Sequence, residues 1–276
     1  MKKKPWKKNL YANQEYPDNY TDESFLKDLR VNVHFKPVSL QDSALGATLI
    51  VHELCTVIVF VIIYVYLYNE WSNPNYIFSW TSGATLFGFI IYRIRFGTIY
   101  TYGYDIQTVL MFLVFGQLFS PILYTLTDTV STDTIYTMSF LMMLVHLIFF
   151  DYGLSVAVVS NSLSLSAAIF ASLCLSSRLA SPYHAFILMT ISIKCFVLFP
   201  LLRNKIKTSF LSTLIFVALV GYFLATVSIL MTYVFVSTII FLNLICPFIF
   251  IKFQKYKDNI YGPWDEAIVQ DIEMSD

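Results

Sequence analysis

The stretch that decides the fold runs from Ser120 to Leu179, and its centre reads TIYTMSFLMMLVHLIFFDY at residues 134–152. A run of this length and apolarity can cross the hydrocarbon core of a bilayer as one helix. The stretch also carries polar and ionisable groups at Asp128, Asp133, His146, Asp151, Asn161 and Arg178. Such groups are costly inside a membrane and usually have a partner or a function. The stretch therefore predicts an integral membrane protein with polar groups among its helices.

The whole chain supports this prediction. Of its 276 residues, 57% are hydrophobic and 13% are charged, which is far more apolar than a soluble domain of this length. Eight runs are suitable for membrane helices, at about residues 46–68, 77–93, 107–127, 134–152, 154–175, 183–202, 210–230 and 232–251. We expect an all-α membrane protein, a polytopic bundle of about eight transmembrane helices at 46–251. A segment at 1–45 with a short amphipathic helix precedes the bundle, and a tail at 252–276 follows it.

The distribution of basic residues predicts the orientation. With eight spans, sixteen Lys and Arg residues lie in the terminal segments and in the connections on the same side of the membrane. The opposite connections hold one, Arg178, and Lys194 lies within a span. Basic residues are concentrated on the cytosolic side of membrane proteins. Both termini are therefore predicted to be cytosolic.

Five polar residues within the spans fall at one predicted depth. At about 1.5 Å of rise per residue, they lie roughly 9–12 Å below the cytosolic boundary. Asp151 lies at that boundary. A polar cluster in the cytosolic half of the bundle is one interpretation, with Glu53 and Lys194 as an ion pair. The alternative is a set of independent interhelical hydrogen bonds. The cluster candidates are Glu53, His146, Asp151, Asn161, Lys194 and Asn243.

The fifth span carries small residues at a spacing of four. They are Ser160, Ser164, Ala168, Ser172 and Ser176. Small residues at this spacing allow a neighbouring helix to approach closely, so they predict helix packing.

Motifs for catalysis are missing from the sequence. There is no Gly-rich phosphate loop, HExxH motif or paired-carboxylate motif, so we expect no metal and no cofactor. Asp128 and Asp133 could bind a cation, but a helix cap through Ser131, Thr132 or Asp133 is favoured. His146 and Asp151 could act as an acid–base pair, but five residues apart they share a helix face poorly.

Five segments carry a resemblance to a known family. They are PWKKNLYANQEYPDNYTDESFL at 5–26, FSPILYTLTDTVSTDTIYTMS at 119–139, HLIFFDYG at 146–153, SNSLSLSAAIFASLCLSSRL at 160–179 and DNIYGPWDEA at 258–267. Together they closely resemble the PIG-C family, whose members are a membrane subunit of phosphatidylinositol N-acetylglucosaminyltransferase. The similarity covers nearly the whole chain in order, although the loop at 93–106 diverges.

The resemblance implies a multi-pass protein of the endoplasmic reticulum membrane. It implies a subunit of the complex that transfers GlcNAc from UDP-GlcNAc to phosphatidylinositol, the first step of GPI-anchor biosynthesis. In that family the active site belongs to another subunit, PIG-A, so this chain is expected to be non-catalytic. Its expected partners are a PIG-A-like glycosyltransferase and other membrane subunits, with phosphatidylinositol as a candidate ligand and no nucleic acid. A lipid transporter or scramblase is the alternative.

Two further groups of residues are candidates for contacts with lipid and partners. Basic residues at span ends are suited to anionic head groups, or simply set the orientation; these are Arg93, Arg95, Arg203, Lys205 and Lys207. Aromatic and turn residues in the two terminal segments are suited to partner docking, or to packing on the chain's own bundle; these are Trp6, Tyr16, Pro17, Asp18, Gly262, Pro263, Trp264 and Asp265.

Overall fold

The structure is a computed structural model. It describes residues 16–17, 20, 30–32, 37–96, 102–125, 129–152, 160–205, 210–258 and 260–261. The chain divides into two compact units, one comprising Leu40–Phe248 and the other Met1–Ser39 with Ile249–Asp276.

Helices dominate the described residues. They are α1 (Leu40–Tyr68), α2 (Pro74–Phe96), α3 (Tyr102–Thr125), α4 (Thr132–Phe149), α5 (Asn161–Ser176), α6 (Pro182–Ile193), α7 (Phe199–Lys205), α8 (Phe210–Val227), α9 (Ile229–Ile240) and α10 (Cys246–Gln254). Every predicted span overlaps one of these helices. The all-α membrane fold is thereby confirmed.

Five helical stretches within the described residues are long and apolar enough to cross a membrane. They are Leu40–Tyr68, Thr132–Phe149, Pro182–Arg203, Phe210–Val227 and Ile229–Gln254. α5 is apolar but shorter, with 16 residues. The number of spans, eight, remains a prediction.

Serine residues set where four of the helices begin. The Ser131 hydroxyl accepts the Thr134 N–H at the start of α4, and Ser160, Ser181 and Ser228 do the same for α5, α6 and α9. A serine at this position satisfies a backbone donor that the first helical turn leaves free. Ser228 in this way separates α8 from α9, which follow each other almost directly. Of the three residues predicted to cap α4, Ser131 is the one that does so.

Two π-helical turns interrupt long helices. Lys194–Leu198 joins α6 to α7, and Phe241–Ile245 joins α9 to α10. A proline follows each turn, at Pro200 and Pro247. Because proline has no N–H and its ring displaces the carbonyl four residues earlier, a wider turn just before it relieves the clash.

α1 occupies the centre of the helical unit. One side of α1 packs with α4, α5 and α6 in a cluster that includes Phe60, Met143, Ala168 and Ile187. Its other side packs with α8 and α9 in a second apolar cluster. Because α1 is covered on both sides, polar residues on it are removed from the surface and must find partners inside the unit.

The unit formed by the two terminal segments contains a short strand pair. β1 (Arg30–Val31) pairs antiparallel with β2 (Ile260–Tyr261), placing Arg30 opposite Tyr261. The Asn32 side-chain amide donates a hydrogen bond to the Asp258 carboxylate at 3.1 Å. The amphipathic helix predicted in the first 45 residues lies outside the described residues.

Candidate functional site

The site is built around Glu53 of α1, which is fully buried at 0% exposure. A carboxylate in this environment requires charged or hydrogen-bonding partners. Arg203 Nη1 of α7 donates to Glu53 Oε2 at 2.8 Å, and His146 Nε2 of α4 lies 3.1 Å from Glu53 Oε1. Both partners are themselves buried, at 6% exposure for Arg203 and 1% for His146. Both oxygens of Glu53 are therefore engaged.

The other ring nitrogen of His146 faces α5. His146 Nδ1 lies 3.0 Å from the Ser164 carbonyl and 2.9 Å from Ser164 Oγ. The Ser164 hydroxyl is 3.1 Å from the His146 carbonyl, to which it donates its hydrogen. The contacts thus fix the orientation of the imidazole ring.

These contacts join four helices of the bundle. Glu53 lies on α1, His146 on α4, Ser164 on α5 and Arg203 on α7. We call Glu53, His146, Ser164 and Arg203 the buried polar cluster.

Aromatic rings enclose the buried polar cluster. The guanidinium carbon of Arg203 lies 5.1 Å from the centre of the Phe150 ring. The His146 ring packs edge-on against Phe150 and Phe196, with centroid distances of 5.6 and 4.9 Å. The ring of an aromatic residue stabilises a cation above its face, more strongly where water is excluded. These rings therefore stabilise the Arg203 cation and shield the buried polar cluster from solvent.

The small residues of α5 allow this geometry. Ser164, Ala168, Ser172 and Ser176 are buried, and Ser160 caps the helix. α5 packs against α4 and α6 along this face. The small residues that were predicted to pack are therefore covered by the chain's own helices.

Lys194 does not pair with Glu53, so the predicted ion pair is wrong. Lys194 Nζ donates to Ser82 Oγ at 2.9 Å and to Thr81 Oγ1 at 3.2 Å, both on α2. It also lies 4.8 Å from the centre of the Phe78 ring. The predicted depth of Lys194 gave no information about the direction in which it projects from the helix.

The remaining candidates of the predicted cluster lie elsewhere. Asp151 is half-buried just beyond the end of α4. Asn161 is exposed as the first residue of α5, because the Ser160 cap starts the helix there. The predicted start at 154 lies outside the described residues. Asn243 is half-buried in the second π-helical turn, and its Oδ1 has no hydrogen-bond partner among the described residues.

His52 adds a second polar contact, which was not predicted. His52 Nε2 lies 2.9 Å from Thr213 Oγ1 of α8, and both side chains are buried. The ring also stacks on Phe216 with a centroid distance of 5.5 Å. A signal was present, because His52 and Glu53 are adjacent ionisable residues in an apolar run. Together they link α1 to the helices on both of its sides.

The basic candidates for lipid contact do not share one environment. Arg203 is buried against Glu53, so it is not available to a head group. Arg93 is half-buried, with its guanidinium 5.3 Å from the centre of the Phe89 ring, and Lys205 is exposed. The Arg95 side chain and Lys207 lie outside the described residues.

Of the docking candidates, the structure describes Tyr16 and Pro17. The Tyr16 ring lies 4.4 Å from that of Tyr20, and the Pro17 carbonyl accepts the Tyr20 N–H at 2.9 Å, forming a tight turn. The other docking candidates lie outside the described residues; they are Trp6, Asp18, Gly262, Pro263, Trp264 and Asp265. Among the described residues, no group of three or more His, Cys, Asp or Glu side chains could hold a metal ion.

The observed pairing predicts the outcome of a charge exchange. The double variant Glu53→Lys with Lys194→Glu should be no more stable than Glu53→Lys alone, because position 194 faces Ser82 and Thr81. Thermal unfolding of the purified variants in detergent measures this. Recovery of stability in the double variant would contradict the pairing.

Comparison with known proteins identifies the family. The GPI2 family model, described as phosphatidylinositol N-acetylglucosaminyltransferase, matches residues 6–265. The C subunit of human phosphatidylinositol N-acetylglucosaminyltransferase is 39% identical, with 96% of this chain and 93% of the relative covered. A putative C subunit of the same enzyme from Dictyostelium discoideum is 35% identical over 96% of this chain and 79% of the relative.

A more distant relative extends the match to fungi. The phosphatidylinositol N-acetylglucosaminyltransferase GPI2 subunit of Schizosaccharomyces pombe is 29% identical over 96% of this chain and 87% of the relative. No solved structure matches the chain. The resemblance stated from the sequence segments is confirmed, and the chain belongs to the PIG-C (GPI2) family of phosphatidylinositol N-acetylglucosaminyltransferase subunits.

Proposed function

We propose that this chain is the non-catalytic membrane subunit of a complex that transfers GlcNAc from UDP-GlcNAc to phosphatidylinositol, the first step of GPI-anchor biosynthesis. The names of its relatives support the complex and the reaction. The complex would act at the endoplasmic reticulum membrane, with both termini of this chain in the cytosol. A PIG-A-like glycosyltransferase would supply the active site.

The observation that carries the non-catalytic role is that the groups of the buried polar cluster already have partners within the chain. The Glu53 carboxylate is engaged by Arg203 and His146, and both nitrogens of His146 are engaged by Glu53 and Ser164. An acid or base must reach the proton that it transfers, directly or through one water. These groups instead link α1, α4, α5 and α7. Their arrangement stabilises the packing of these four helices.

Presentation of phosphatidylinositol is a second part of the proposed role. With both termini in the cytosol, Arg93 and Lys205 would lie near the cytosolic boundary. Basic groups at that depth attract anionic lipids. The lipid would then be held beside the bundle while the catalytic subunit, docked on the cytosolic side, transfers the sugar.

The experiment that tests this role is purification followed by an assay. The affinity-tagged chain is purified in mild detergent, its copurifying proteins are identified, and GlcNAc transfer from UDP-GlcNAc to phosphatidylinositol is measured. We expect transfer only when a glycosyltransferase copurifies or is added back. Transfer by the isolated chain would overturn the non-catalytic role, and the absence of any partner would overturn membership in a complex.

A further inference from the structure

Lys194 is a cation inside a membrane-spanning stretch of the chain. The stretch Pro182–Arg203 is long and apolar enough to cross a membrane, and Lys194 lies twelve residues after its start and nine before its end. These separations correspond to about 18 and 13 Å of helix, so Lys194 lies well inside the hydrocarbon region. It is also the first residue of the π-helical turn Lys194–Leu198. Ionisable residues at such depths, and π turns, both frequently belong to functional sites.

The partners of Lys194 within this chain are neutral. Its Nζ donates to Ser82 Oγ at 2.9 Å and to Thr81 Oγ1 at 3.2 Å, and it lies 4.8 Å from the centre of the Phe78 ring. An ammonium group has three hydrogens, so these two hydrogen bonds leave one unused. No Asp or Glu in the described part of the chain forms an ion pair with Lys194. Its positive charge is therefore not balanced there.

The sequence contains no spare acid at this depth. Across the eight predicted spans, the acidic residues are Glu53 and Asp151. Glu53 is already held by Arg203 and His146, and Asp151 lies beyond the end of α4 at the predicted membrane boundary. A charge in hydrocarbon is unfavourable unless an opposite charge accompanies it. A complementary anion for Lys194 therefore has to be supplied by another molecule.

The surface beside Lys194 is open to such a molecule. The Lys194 side chain is half-buried, and Leu198, about one turn further along the same helix, is exposed. On α2, Gly83 follows Ser82 and is exposed, and a Cβ placed on Gly83 would meet no atom within 4 Å. A position without a side chain allows another helix to approach closely. The ammonium group can therefore be reached from outside the bundle.

The depth of Lys194 favours a carboxylate over a lipid phosphate. Phosphate groups lie in the head-group region, outside the hydrocarbon core. Both ends of the Pro182–Arg203 stretch are farther from Lys194 than its side chain reaches, and the contact with Ser82 holds Nζ against α2. A carboxylate carried by a membrane-spanning helix, in contrast, can lie at the same depth as Nζ.

We infer that Lys194 and Ser82 form the binding site for an Asp or Glu side chain on a membrane-spanning helix of another subunit. The carboxylate would accept the remaining N–H of Lys194 and the hydroxyl hydrogen of Ser82. Ionisable residues within membranes are usually paired with one another in this way. The inference rests on the proposed function, since it requires a complex with other membrane subunits.

Removal of the charge tests this site. Lys194→Met removes the ammonium group, Lys194→Arg retains a positive charge, and Lys252→Met makes the first change at an exposed lysine near the end of α10. Each tagged variant is purified in mild detergent and its copurifying membrane subunits are quantified. We expect Lys194→Met to reduce the amount of one subunit at least about thirty-fold, as loss of one partner of a buried charge pair does. Lys194→Arg and Lys252→Met should retain that subunit.

Thermal unfolding separates binding from a structural role. The isolated Lys194→Met chain, purified without partners, should unfold at a temperature no lower than that of the wild type. The reason is that the charge removed has no counter-charge within the chain. A lower unfolding temperature together with an equal loss of every subunit would overturn the inference, because Lys194 would then act in folding.

A zero-length crosslink identifies the occupant. Dicyclohexylcarbodiimide activates carboxylates inside membranes, and an amine in contact with an activated carboxylate forms an amide with it. We expect an amide between Lys194 and an Asp or Glu of one other membrane subunit, and none in Lys194→Arg. An amide with an acid of this chain or of a second copy would overturn the inference. If the wild type recovers no subunit, the proposed function fails; if the wild type and Lys194→Met recover the same subunits equally, only this site fails.

Discussion

Replacement of Glu53 by leucine should destabilise the protein by about 3–5 kcal/mol, the cost of leaving a buried charge without its partner. Arg203 loses the acceptor at 2.8 Å, and His146 loses the acceptor at 3.1 Å. The cluster then holds a buried guanidinium and an unpaired imidazole nitrogen. The measurement is the free energy of unfolding in detergent, or the fraction of folded protein after heating.

Two further variants make this prediction specific. The double variant Glu53→Leu with Arg203→Leu should recover part of the loss, because apolar side chains replacing a buried ion pair are often tolerated. Glu53→Gln keeps the size of the side chain but weakens both contacts, and should have an intermediate effect. Equal stability of Glu53→Leu and the wild type would show that the buried polar cluster does not stabilise the bundle.

Ala168→Leu should cost about 1–3 kcal/mol, which is typical of enlarging a side chain in a packed core. Ala168 is fully buried in the cluster that α1, α4, α5 and α6 share. A leucine there would separate α5 from its neighbours and pull Ser164, one turn earlier, away from His146. Thermal unfolding in detergent measures the effect.

The matched control lies on the same helix. Ser166 is exposed, so Ser166→Leu should change the free energy of unfolding by no more than about 0.5 kcal/mol, as surface substitutions usually do. Equal losses for the two variants would show that α5 is sensitive to any leucine, and would contradict the role assigned to its packed face.

The sequence predicted the fold well because hydrophobic length is a strong signal. Each apolar run corresponds to a helix, and small residues at a spacing of four mark the packed face of α5. The start of α5 was predicted less accurately, because the apolar run gives no sign of the serine that caps the helix. The Ser160 hydroxyl, and not hydropathy, decides that α5 begins at Asn161.

The sequence predicted the buried site only in part. Counting residues from the span ends placed Glu53 and His146 at one depth, and the structure brings these two side chains together. Counting gives no rotation about the helix axis, so Lys194 was paired with Glu53 and Arg203 was assigned to the lipid head groups. The pairing of Arg30–Val31 with Ile260–Tyr261 was also missed, because two residues are too few for a periodic pattern.

The π-helical turn at Lys194–Leu198 sets the direction in which Arg203 projects from the helix that follows. Each residue of an α-helix turns the chain by about 100°, and a π turn accommodates one extra residue within the helix. Winding the same residues as an uninterrupted α-helix would leave composition and hydropathy unchanged. It would nevertheless rotate Arg203 by about 100° away from Glu53. The register of the helix, in addition to its chemistry, therefore carries the information that assembles the buried polar cluster.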